Sequence, residues 1–189
     1  MWQICELMLK FLKYISQLLL SPGNGWEDIS HAGIDTKILS SAGLFPLIGL
    51  AAMSSFIKLV FDASVEVVSI IQVAIIVFVQ LVSTYYIASA IFGVVLSRLV
   101  EGEPNEKKYN TVIIYSVAII SLIKILENCI PFPLPLLYFL YIYVALIIWK
   151  SVRYLAVKEK LVGYFMLLAI VVIIIMPFVL NFLLTSITL

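Results

Sequence analysis

Residues 67–96 read VVSIIQVAIIVFVQLVSTYYIASAIFGVVL, a stretch without one charged side chain. About 20 consecutive apolar residues suffice to cross the hydrocarbon core of a bilayer as a helix. A helix of this length on a water-soluble domain would carry a polar face, and this one carries only scattered Ser, Thr and Gln. The segment is therefore read as a membrane span, long enough to tilt or to protrude into the headgroups.

Four further apolar runs flank it. They place span one at 38–60, with Pro46 inside it, span three at 111–128, span four at 134–149 and span five at 161–184. A proline within a span removes a backbone hydrogen bond and kinks the helix, which neighbouring helices can compensate. Ile130 to Pro135 holds three prolines and is expected to be a tight turn. The composition agrees: 63% hydrophobic and 12% charged residues, against about 25% charged in soluble domains. The expected fold is all-α, a polytopic five-helix membrane domain over 38–189. A net charge of +1 without a basic face argues against nucleic acid as a partner.

Orientation follows from the basic residues. Lys10, Lys13, Lys37, Arg98, Lys107, Lys108, Lys150, Arg153, Lys158 and Lys160 fall on one side, and only Lys58 and Lys124 on the other. The positive-inside bias makes the first side, with the N-terminus, cytoplasmic. The C-terminus is then external, in a cell membrane, with a bacterial inner membrane the expected setting. The turn between spans one and two carries Asp62 and Glu66 and no basic residue. Cys5 and Cys129 fall on opposite sides and are read as reduced, packed thiols.

Before span one, Gln3, Glu6, Lys10, Lys13 and Gln17 share one helical face, opposite Leu7, Phe11, Ile15 and Leu18. Residues 1–21 are thus expected to form an amphipathic helix lying in the membrane interface, the other reading being that it covers the bundle. Its charges interrupt any signal-peptide core, so retention of this segment is expected. Ser21 to Gly25 are turn formers, and 22–37 reads as a polar connector containing a short helix. Glu27, His31 and Asp35 would share a face of a continuous helix, but two full turns separate the outer carboxylates, too far for one ion. No metal or cofactor is expected.

The spans hold few polar groups. Ser69, Gln72, Gln80, Ser83 and Thr84 share one side of span two, while Ser89, Gly93 and Ser97 repeat at four-residue spacing like a small-residue packing seam. Near the outer end of span three, Lys124 and Glu127 stand at i, i+3 beside Asn128, and Lys58 of span one reaches the same level. Ionisable groups within a span mark a candidate site, and near an interface they also serve as anchors. No catalytic constellation is recognisable, whether HExxH, GxSxG or a Gly-rich phosphate loop. The expectation is that the chain is not an enzyme.

Pro22 followed by Trp26 and Ile29 ahead of the first span, five spans with a cytoplasmic N-terminus, Gly93 leading toward Gly102, and the prolines before span four together resemble the Yip family of Rab-interacting membrane proteins. The resemblance implies a five-helix bundle and, for eukaryotic members, roles in vesicle trafficking through partner binding and membrane shaping. The long cytoplasmic N-terminal region of those members has no counterpart here, which points to the bacterial branch. The expected function is that of a membrane scaffold or adaptor, with the bilayer and other membrane proteins or further copies of the chain as partners. The alternative is a small-solute or ion transporter or channel, using the polar side of span two and the Lys124 and Glu127 pair.

Overall fold

The computed structural model describes residues 2–61, 66–103, 105–130 and 136–188. The turn bearing Asp62 and the proline-rich turn at 131–135 lie outside them, as does the side chain of Cys5, while Cys129, expected to be packed, is exposed beside that turn. The described backbone is almost wholly helical. Helix α1 spans Trp2–Leu20 and α2 spans Pro22–Ala32. Then come α3 (Thr36–Phe61), α4 (Val67–Leu99), α5 (Glu106–Cys129), α6 (Leu136–Leu155) and α7 (Glu159–Ile187). Helices α3 to α7 are the five that are long and apolar enough to cross a membrane, the architecture of a multi-pass membrane protein.

Helix α5 is the axis of the bundle. In its most apolar stretch 67% of residues are buried, against 28% to 39% in the other four spans. Val112, Ile113, Ile114, Val117, Ala118 and Ile120 are all fully enclosed. Helices α3, α4, α7 and α6 follow one another around α5, each packed on the next. Their outward faces carry Val68, Phe78, Ile142, Leu167 and Phe182, all exposed. That arrangement would be costly in water and is the one that lipid requires.

The ring is closed between α6 and α3 by α1 and α2, which pack on each other, α2 also on α6 and α1 also on α3. They form an antiparallel hairpin. Leu18 lies against Gly25, and the Gln17 amide donates to Asp28 Oδ2 at 2.9 Å. Phe11, Ile15 and Leu18 are buried, with the Phe11 ring stacked on Tyr115 of α5 at 5.1 Å. The apolar stripe expected to rest on lipid is therefore partly spent on protein, while Leu9 and Leu20 remain exposed.

Because lipid tails are as apolar as leucine, burial alone gives little reason for an apolar helix to leave the membrane for the bundle. Close approach and hydrogen bonds supply it. A Cβ on Gly25 would stand 3.1 Å from the Leu18 backbone, and one on Gly43 of α3 would stand 2.7 Å from the Phe11 ring. At the hairpin tip the Tyr143 hydroxyl donates to the Leu19 carbonyl at 2.6 Å.

Two prolines shape the spans. Pro46 and Pro177 each follow a π-helical stretch, Leu39–Leu44 and Ile170–Ile175. Proline lacks the donor and crowds the preceding turn, and widening that turn to a π pattern accommodates it. At the opposite end from Glu127, the α4–α5 and α6–α7 connections are tied together. Glu101 N donates to Ala156 O and Lys158 N to Leu99 O, both at 2.9 Å, with Ala156 held at φ +53°.

Candidate functional site

Near the C-terminal end of α5, Lys124 Nζ meets Glu127 Oε2 at 2.7 Å, and the Tyr141 hydroxyl donates to Glu127 Oε1 at 3.0 Å. Lys124 also lies over the Phe178 ring, 5.7 Å from its centre. The ion pair is thus embraced by α6 and α7, with both side chains about one-quarter exposed. Beside it Asn128 Nδ2 donates to Ser54 Oγ at 2.8 Å, joining α5 to α3. Lys58 does not join this group: its side chain is exposed, and the ion pair recorded for Glu127 is with Lys124.

The polar side of α4 does not form one lining. Ser69 is exposed, Gln72 and Ser83 are half-buried, and Gln80 and Thr84 are buried. Thr84 donates to the Gln80 carbonyl of its own helix at 2.7 Å. The Gln80 amide oxygen and the Ser116 hydroxyl of α5 are enclosed without a hydrogen-bond partner. Of the expected packing seam, Ser89 donates to Asn110 Oδ1 of α5 at 2.6 Å, and a Cβ on Gly93 would meet the Tyr109 hydroxyl at 3.2 Å. Ser97 leaves the seam. It is exposed and donates to the Val94 carbonyl of its own helix, while Leu96 and Leu99 of the same turn face the bundle instead.

Ahead of α3, Pro22 opens α2, where its missing donor costs nothing. Trp26 and Ile29 point inward and are buried. The Trp26 indole stacks on Tyr154 at 5.6 Å and meets Tyr115 edge-on at 6.2 Å. Glu27, His31 and Asp35 do not share a helical face, since α2 stops at Ala32, Gly33 turns with φ +56°, and Asp35 precedes the next helix. Among the described residues no group of His, Cys, Asp and Glu is placed to hold a metal.

Two cavities flank the hairpin. One, of about 320 Å³, is apolar and lies below the hairpin tip, between Leu19, Ile123, Leu126 and Tyr143. The other, of about 150 Å³, opens at the start of α5 and is lined by Tyr14, Asn105, Lys107, Lys108, Tyr115 and Tyr154 among others. Asn105 caps α5, its side chain accepting from Lys107 N and Lys108 N at 3.0 and 3.3 Å, while Lys108 Nζ lies 5.5 Å from the centre of the Tyr154 ring. Sequence reading missed this pocket because α1, α2, α5 and α6 each contribute to it. The Lys107 and Lys108 pair was its one visible signal. On the outer face of α1, Lys10 bonds Glu6 at 2.9 Å, and that hydrogen bond, then the carboxylate charge, holds its ammonium above the ordinary range.

No protein-family model matches the chain, and neither does a curated protein or a solved structure.

Proposed function

We propose that the protein is a non-enzymatic membrane scaffold or adaptor that works through the bilayer and through partners within it. Its N-terminus and hairpin would face the cytoplasm, its C-terminus the outside of a cell membrane, with the Glu6, Lys10 and Lys13 face of α1 along the headgroups. The observation that carries this reading is the enclosure of α5: Val112 through Ile120 lie packed on every side. A helix so enclosed holds a shape, as the axis of a scaffold must. The Lys124, Glu127 and Tyr141 cluster then serves as an anchor. The resemblance to the Yip family fits the same role, and Trp26, one of the residues that carry it, fastens the hairpin to α6.

The alternative, a small-solute or ion transporter or channel, draws on the enclosed and unpartnered Gln80 and Ser116 oxygens, since buried polar groups without partners are costly and call for an explanation. Flux through liposomes holding the purified protein, combined with cross-linking in native membranes, separates the two. The scaffold reading expects cross-links to a defined partner or to further copies and no ion flux above protein-free liposomes. A flux abolished by Glu127→Gln or Gln80→Leu would replace it with the transporter reading.

A further inference from the structure

The cavity at the start of α5 combines features that point to an anion. Lys107 and Lys108 both line it. Neither pairs with a carboxylate among the described residues, and Lys108 rests over the Tyr154 ring of the same wall, so no carboxylate there neutralises either charge. Glu106, one residue earlier on the same turn, is not part of the lining. The positive end of the α5 backbone dipole adds to the same field, although Asn105 already occupies two of its terminal amides.

The second observation is independent of the charges. Tyr115, which also lines the cavity, is fully buried, and its hydroxyl has no hydrogen-bond partner. Side chains on a helix lean toward its N-terminus, which brings this hydroxyl toward the level of Lys108 and Thr111. Tyr14 and Tyr154 close the cavity from α1 and α6. An enclosed donor without an acceptor, lining the same cavity as two lysines that pair with no carboxylate among the described residues, is half of a hydrogen-bonding set whose other half is a multivalent oxyanion.

We propose that this cavity binds a phosphate group, either the headgroup phosphate of an anionic phospholipid or a soluble phosphate anion, held by Lys107, Lys108 and the Tyr115 hydroxyl. Its volume, about 150 Å³, has room for a phosphate with ordered water. Its place between helices at the basic end of the bundle is where lipid headgroups are recognised in membrane proteins. Lysine acts here as a point charge, and Tyr115 supplies direction. The site stands whether or not the protein is a scaffold.

Thermal unfolding of the full-length protein tests it. In neutral detergent, inorganic phosphate is compared with chloride at matched ionic strength. In nanodiscs, phosphatidylcholine alone is compared with phosphatidylcholine containing phosphatidic acid. Stabilisation of the wild type in either comparison, weakened about tenfold in apparent affinity by Tyr115→Phe and by Lys108→Gln but not by Lys13→Gln, supports the site. The comparison that responds identifies the source. Tyr115→Phe removes only an unpartnered hydroxyl, so its own unfolding temperature without phosphate should equal or exceed that of the wild type, and a folding defect in Lys108→Gln leaves this arm intact. If neither phosphate source stabilises the wild type, or if Tyr115→Phe gains as much as the wild type, the site does not exist.

Discussion

The indole nitrogen of Trp26 donates to the carbonyl oxygen of Ile147 at 2.9 Å, although 121 residues separate them. This bond ties the N-terminal hairpin to the middle of α6, because Ile147 lies within that helix and is fully buried. Trp26→Phe should retain the stacking on Tyr154 and lose the hydrogen bond, at about 1 kcal/mol. Trp26→Ala should cost about 3–5 kcal/mol by also opening a cavity. Chemical unfolding in detergent measures both, and a Trp26→Phe variant as stable as the wild type would show that the hydrogen bond sets nothing.

Glycines in the hairpin region divide by what surrounds them. Gly25→Ala drives a Cβ to 3.1 Å from the Leu18 backbone, whereas Gly23→Ala meets nothing within 4 Å. Both positions are helical, so Gly23→Ala should stabilise by about 0.5–1 kcal/mol through helix propensity. Gly25→Ala should reverse that sign and loosen α1, read as faster amide exchange at residues 11–18. Similar unfolding temperatures for the two variants would mean that the helices do not approach so closely.

The Lys124, Glu127 and Tyr141 cluster predicts non-additivity. Lys124→Met leaves Glu127 with Tyr141 alone, and Glu127→Leu leaves Lys124 over Phe178 without a counter-charge. Each single change should cost about 2 kcal/mol, while the double change should cost less than their sum, because the isolated charge is what destabilises. A double-mutant cycle in detergent provides the number. A coupling energy near zero would make the 2.7 Å contact energetically idle.

Asn128 ties α5 to α3 through Ser54 at 2.8 Å. Hydrogen bonds between membrane helices contribute on average about 0.6 kcal/mol, so Asn128→Ala and Ser54→Ala should each lower stability by roughly that amount. Their effects should overlap when combined. Full additivity in the same unfolding assay would argue that the two residues act apart.

How much of this was legible depends on where the signal lies. Span two was expected at 67–96 and its helix runs Val67–Leu99, because an unbroken apolar run has only one reading. Span three was expected to start at Thr111, yet its helix begins at Glu106, since Asn105 caps it and the cap continues the helix through two lysines. Pro46 announced a disturbance in span one. Pro177, seated in a run with no other polar mark, did not.

The choice between interface and bundle for the first helix was undecidable in the sequence for a physical reason. Phe11, Ile15 and Leu18 form the same stripe whether it rests on lipid or on Tyr115, and hydrophobic spacing cannot separate the two. Gly25 and Gly43 carry the missing information, as sites where a backbone or an aromatic ring approaches too closely for a Cβ. In the sequence, however, they resemble ordinary turn and span glycines. The phosphate pocket was hidden in the same way, its lysines visible and its tyrosines dispersed.

The closure of the ring around α5 by α1 and α2 is most directly tested by a disulfide between Phe11→Cys and Gly43→Cys, in a chain whose Cys5 and Cys129 are replaced by serine. A Cβ on Gly43 would stand 2.8 Å from Phe11 Cδ1 and 2.7 Å from Cγ, which brings the two Cβ atoms within disulfide range. Mild oxidation in native membranes should cross-link the pair within one chain, protecting both thiols from maleimide until reduction. Two thiols that stay free and reactive after oxidation would place α1 away from the bundle and contradict the account.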